Sequence, residues 1–152
     1  MTAFSYSDPW FCFECYFQLD LSYNQLCGLD RYGEGTYNAE GITANADALR
    51  VNGALTSLNL YWNFIKDKGW GAIFAAICGN KDGKITSLDV SSEIIGPAGV
   101  KLIAEALRTS VTGALTRINM SRNNLTDSGR DVTGIKELAA ALGVNGALTE
   151  VR

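Results

Sequence analysis

The chain predicts an α/β solenoid in which short strands and helices alternate, one pair per repeat, and successive pairs stack side by side. Three observations carry this. An apolar pattern with Leu55, Leu58, Leu60 and Ile65 set around a polar Asn63 returns at Tyr16–Leu26, Ile85–Ile95 and Leu115–Leu125, and another copy opens at Leu148. The spacing from Leu60 to Val90 and from Val90 to Met120 is 30 residues. Each repeat also has two periodicities. Leu58 and Leu60 alternate as in a strand, whereas Val100, Ile103, Ala104 and Leu107 recur at the three- and four-residue steps of a helix.

Residues 1–15 match no later segment. Trp10, Phe11 and Phe13 lead with Tyr16 and Phe17 into the first repeat, and an end unit must cover the core that a missing neighbour would cover. The expectation is an N-terminal aromatic cap over 1–15 and a repeat domain over 16–152, with four repeats and a truncated fifth. Cys12 and Cys15 have a competing reading as half a zinc site or a redox pair. Zinc would need a second Cys-x-x-Cys or histidines, and the sequence has neither.

The first repeat takes Leu19 to Leu26, is interrupted by about eleven residues within Cys27–Ala39, and resumes as a helix from Gly41 to Leu49. The second runs Leu55 to Ile77, the third Ile85 to Leu107, and the fourth Leu115 to Leu142 with about five extra residues near Gly129–Thr133. The helical halves align on Gly41, Gly69, Gly99 and Gly134, and on Ala48, Ala76, Ala106 and Ala141, where small side chains allow helices to pack closely. Asn52-Gly53, Asp82-Gly83, Thr112-Gly113 and Asn145-Gly146 mark the helix exits, where a glycine in the left-handed conformation is expected to stop each helix.

The arrangement L-x-x-L-x-L-x-x-N-x-L, followed by a glycine and a helical half, resembles the leucine-rich repeat, and its long helix is similar to the ribonuclease-inhibitor subtype. The resemblance implies a right-handed curved solenoid, or horseshoe, with a parallel sheet on the concave side and helices on the convex side. It also implies an asparagine ladder at Asn24, Asn63 and Asn123, whose amides bond backbone groups where the chain leaves each strand. Glu93 stands in the ladder's third position and cannot donate when ionised, so that rung is expected to be impaired. Asn45 stands where the other helices carry an aliphatic residue, so the first repeat is expected to be looser.

Composition narrows the function. With 47% apolar and 19% charged residues the chain is globular, and its net charge of −3 includes no basic stripe of the kind that binds nucleic acid. The absence of histidine removes the commonest general base and zinc ligand. No signal peptide or membrane span is read, so no membrane association and a cytoplasmic location are expected. Residues 78–89 resemble a calcium loop at Asn80, Asp82, Gly83 and Ile85, but Cys78 and Asp89 stand where its first and last acidic ligands belong. No catalytic or metal site and no cofactor are expected.

The residues between the core leucines point to the concave face. They include Asp20 and Tyr23, then Asn59, Tyr61 and Trp62, then Asp89, then Arg117, Asn119 and Arg122. These form a graded surface, aromatic and acidic at one end and basic at the other, and the function expected from it is non-enzymatic binding of a protein partner. The alternatives are a GTPase-activating protein of the Ran type, whose loop arginine neither Arg31 nor Arg122 matches residue by residue, and a structural piece of a larger sensor or scaffold. The strand opening at Leu148 breaks off at Arg152, so self-association or fraying is expected there.

Overall fold

The structure, a computed structural model, describes residues 17–30, 32–111 and 113–152. The cap segment 1–15 with Cys12 and Cys15, Arg31 and Thr112 lie outside the described residues. Five short strands, β1 (Phe17–Asp20), β2 (Leu55–Asn59), β3 (Ser87–Asp89), β4 (Arg117–Asn119) and β5 (Glu150–Val151), alternate with four helices. These are α1 (Glu40–Leu49), α2 (Lys66–Gly79), α3 (Pro97–Arg108) and α4 (Thr133–Val144). The strands pair in parallel in chain order, and each helix is the crossover that a parallel pair requires.

Leu58 pairs with Leu88 and Leu88 with Ile118, so the central strands keep the 30-residue spacing of the sequence. Leu19 pairs with Leu58 and Ile118 with Val151, so the first and fourth repeats are longer by nine and three residues. Both are two less than the inserted lengths, because the steps from Gly41 to Leu58 and from Gly134 to Val151 are 17 residues, against 19 from Gly69 to Leu88 and from Gly99 to Ile118. The first insertion folds down on itself. Leu29 and Gly35 form an antiparallel bridge, Asp30 accepts the N–H groups of Tyr32 and Glu34, and Cys27 and Leu29 are buried. The register of β1 against β2 survives it, apart from an irregularity between Phe17 and Gln18.

The core lies between the sheet and the helices. Leu58, Leu60, Leu88, Val90, Ile118 and Met120 from the strand halves share it with Ile73, Ile77, Ile103 and Leu107, none more than 5% exposed. Burial of each such side chain contributes roughly 1.5–3 kcal/mol. In α1, Asn45 does not leave a gap: its amide donates back to Gly41 O at 2.8 Å, and Ile42, Ala46 and Leu49 form the buried face. The three buried positions of α1 are equivalent to Trp70, Phe74 and Ile77 in α2, which buries eight residues in all.

The aligned glycines let neighbouring helices start in contact. A Cβ on Gly134 would stand 2.6 Å from the carbonyl oxygen of Pro97 and 3.0 Å from Val100 Cβ, and one on Gly99 would stand 2.5 Å from Asp67 Oδ1. That Asp67 oxygen accepts the N–H of Gly96 at 2.7 Å, so α2 caps the start of α3. Gly134→Ala is accordingly expected to lower stability by about 1–3 kcal/mol, because backbone has to yield. Gly143→Ala, in the same helix with nothing near its Cβ position, is expected to leave stability unchanged or raise it slightly. Thermal melts of the two variants check the difference.

The helix exits work differently from the expectation. Gly53, Gly83, Gly113 and Gly146 are not left-handed; among described glycines only Gly28, Gly33, Gly35 and Gly129 have positive φ. Asparagine side chains close three of these exits instead, at Asn52, Asn80 and Asn145, while Ser110 stands in that place after α3. Asn52 accepts the N–H groups of Ala54 and Leu55, and Asn145 those of Ala147 and Leu148. Asn80 donates to Leu49 O and Asn52 O in the preceding repeat, and Asn145 donates to Leu107 O. The Asn80 oxygen that a calcium-loop reading would offer to a cation accepts the Asp82 N–H at 3.0 Å. Replacing Asp82 by Asn is expected to leave the melting temperature unchanged with or without calcium. A calcium-dependent rise that this substitution abolishes would contradict it.

Candidate functional site

Along each strand the side chains opposite to the core-facing leucines stand on the open face of the sheet: Gln18 and Asp20, Ser57 and Asn59, Ser87 and Asp89, Arg117 and Asn119. The last residue of each set also ends its strand. Asp20, Asn59, Asp89 and Asn119 each accept the N–H of the residue two further on, which turns the chain out of the sheet. Asn59 donates across to Asp20 at 3.1 Å and Asn119 to Asp89 at 3.0 Å, so acid and amide alternate over the four strands. The hydroxyl and N–H of Ser22 hold the Asp20 carboxyl below its ordinary range.

Tyr23, Tyr61, Trp62 and Arg122 do not lie on the strands, where the alternation placed them, but in the turns beyond the strands' C-terminal ends. Tyr23, Trp62, Ser92 and Arg122 occupy equivalent positions with φ of 59°, 61°, 59° and 58°. This left-handed conformation costs a non-glycine residue on the order of 1–3 kcal/mol, so surrounding bonds must hold it. Some come from neighbouring repeats: Tyr23 donates to Tyr61 O at 3.0 Å and Ser92 to Ser121 O at 3.1 Å. The rest come from the ladder below.

Asn63 donates to Leu21 O and Leu60 O while accepting the N–H groups of Asn24 and Leu26. Asn123 repeats this toward Val90 O and Met120 O and toward the N–H groups of Glu93 and Ile95. Glu93, fully buried between them, completes its rung by reach. Its carboxylate accepts Trp62 N–H at 2.7 Å, Ile65 N–H at 3.3 Å and the Trp70 indole N–H at 3.4 Å. The two carbonyls that it cannot serve, Leu60 O and Val90 O, receive the amides of Asn63 and Asn123. The rung expected to be impaired is thus intact, and it fixes the backbone of Trp62. Burial pushes the Glu93 carboxyl up despite these donors.

The turns bring four rings together. Tyr23 stacks on Trp62 with centroids 5.8 Å apart and planes 20° apart, Tyr61 meets Tyr23 edge-on at 5.7 Å, and Phe64 supports Trp62 from beneath at 6.0 Å. Tyr23 is 65% exposed, Tyr61 and Trp62 are half-buried, and Phe64 is buried. Arg122 lies two repeats from Trp62 in the same row of turns, with Arg117 on the strand before it. Both are exposed, and neither has an ion-pair partner among the described residues. The sequence reading missed Phe64 and the burial of Glu93. The signal for Phe64 was available in its place two residues after Trp62.

Little in the site suits covalent chemistry. Cys27 and Cys78 are free and buried, and burial pushes the Cys78 thiol up to about 11. Among the described residues no group of three or more Cys, Asp or Glu side chains is arranged to hold a metal ion, and no helix is long and apolar enough to cross a membrane.

The parallel sheet, the helical crossovers and the buried ladder define a leucine-rich-repeat solenoid. The family model described as leucine-rich repeat matches residues 115–131, which hold β4 and the turn after it. Among solved structures the chain is similar to actin-binding site 2 of leiomodin-1, with 23% identity, a TM-score of 0.63, and coverage of 88% of this chain and 68% of that one. No curated protein matches the chain in sequence.

Proposed function

We propose that this chain is a non-enzymatic protein-interaction module of ribonuclease-inhibitor-like repeats, and that its partner binds across the row of strand ends. The supporting observation is the Tyr23–Tyr61–Trp62 cluster. Large rings are presented to solvent on a backbone held by the ladder, so little side-chain or loop entropy remains to be lost on binding. Tyr, Trp and Arg also dominate interface energetics, and all three stand in this row. Full helices of 12 to 14 residues behind β2, β3 and β4 support the subtype. Asp20, Asn59, Asp89 and Asn119 have a structural share as well, since each closes its own turn.

A photo-crosslinking residue at Ser121, on this row, should capture a protein from the native lysate, and Trp62→Ala should abolish the capture. The same residue placed at Lys101, on α3, should capture nothing that depends on Trp62. Capture indifferent to Trp62 would contradict the proposal. Actin, which the leiomodin-1 site binds, is the first purified partner to test by co-sedimentation.

A further inference from the structure

Resting on the interaction-module reading, we infer that the partner lays an extended segment across the strand ends, with an arginine on Tyr23 and Trp62 beside Asp20 and a carboxylate four residues away on Arg122. The first contact follows from the shape of the aromatic end. Tyr23 and Trp62 are too closely stacked to admit anything between them, so only their outer faces are free, and the Tyr23 face is the open one. A flat group fits it. A guanidinium is flat, cationic and weakly hydrated, and it stacks on aromatic rings in a way that the compact ammonium of lysine does not.

Asp20 selects the charge. Its carboxylate is exposed, kept ionised by Ser22 and oriented by Asn59, and an ionised carboxylate has lone pairs left after these bonds. A neutral ring set there would cover the carboxylate and return no hydrogen bond. Among the described residues Arg50 pairs with Asp47, Arg108 with Glu105 and Glu137, and Arg152 with Glu150, whereas Arg117, Arg122 and Arg130 have no ion pair. Of these three, Arg117 stands on β4 and Arg122 in the turn row with Tyr23 and Trp62, and an acidic group from outside is their natural partner. Ser91 and Ser92 stand between the two ends and leave the floor low.

Three strand spacings separate Tyr23 from Arg122, about 14 Å at ~4.8 Å each, and an extended chain covers that distance in about four residues. Asp89 lies under the middle of this path and opposes a further acid there. Together with Asp20 it also opposes a polyanion such as nucleic acid.

The test is fluorescence anisotropy at low salt with a labelled alanine–serine peptide carrying Arg and Glu four residues apart. Changing its Arg to norleucine, its Glu to Gln, or the spacing to two residues should each weaken binding about fivefold or more. Tyr23→Ala should remove the preference for arginine, and Arg122→Gln the preference for glutamate. No saturable binding, affinity indifferent to both peptide charges, or tighter binding of a single-stranded DNA oligomer would overturn the inference. If the peptides fail while Ser121 crosslinking still captures a Trp62-dependent protein, this inference falls and the interaction-module reading stands. If both fail, both fall.

Discussion

Replacing Glu93 by alanine is expected to lower stability by roughly 3 kcal/mol. The reason is the number of buried donors left without an acceptor. The carboxylate takes the N–H groups of Trp62 and Ile65 and the indole N–H of Trp70, and each buried donor left unsatisfied costs about 1–3 kcal/mol. Relief of the buried charge offsets part of that sum. Glu93→Gln removes the charge but keeps only one of the two acceptor oxygens, its NH2 facing the remaining donor side, so its stability at neutral pH is expected to lie between those of the alanine variant and the wild type.

The same residue gives the protein a pH dependence with a defined sign. Burial raises the folded carboxyl above its unfolded range, so the folded state holds this proton to higher pH than the unfolded state does. The stabilisation is full below the unfolded value of about 4.3 and is lost as pH rises through the folded value. Denaturant titrations from pH 4 upward should show this decline in the wild type, and Glu93→Gln should lack it. An alanine variant no less stable than the glutamine variant would contradict the ladder assignment.

The architecture was legible because its signals are periodic. Leu58 and Leu60, Leu88 and Val90, Ile118 and Met120 repeat at one interval, and each pair marks a strand half whose inner face is buried. What the pattern could not give was the end of each strand. Tyr61 and Trp62 continue the alternation on paper, but Asn59 has already turned the chain by accepting the Tyr61 N–H. Polar positions were also ambiguous. Glu93 looked like a lost rung because residue type alone shows that it cannot donate, not that Asn63 and Asn123 already serve its carbonyls. Asn80 matched a calcium loop in spacing, although its amide ties two repeats together. The contact between Tyr23 and Trp62 depended on whether the insertion after Cys27 shifted β1, which only the register settles.

Trp62→Ala is expected to weaken binding of the partner by on the order of 2 kcal/mol or more, the range of an interface hot spot. The indole is the hub of the cluster, in contact with Tyr23, Tyr61 and Phe64, so its removal also frees the two tyrosines to rearrange. Tyr23→Ala, at the exposed edge, should cost less. Arg122→Ala should act mainly on association rate and salt dependence, because an exposed rim charge steers more than it holds. A Ran-type GTPase activator would behave otherwise: one arginine would be needed for stimulated GTP hydrolysis and dispensable for binding.

The measurement that bears most directly on the strand-end surface is the dissociation constant of the captured partner, taken for the wild type and for Tyr23→Ala, Tyr61→Ala, Trp62→Ala and Lys101→Ala, with each fold checked by its melting curve. The surface described here predicts a loss of about thirtyfold for Trp62→Ala, smaller losses for the two tyrosines, and none for Lys101→Ala. Affinity unchanged in all three aromatic variants, in proteins that melt as the wild type does, would contradict it.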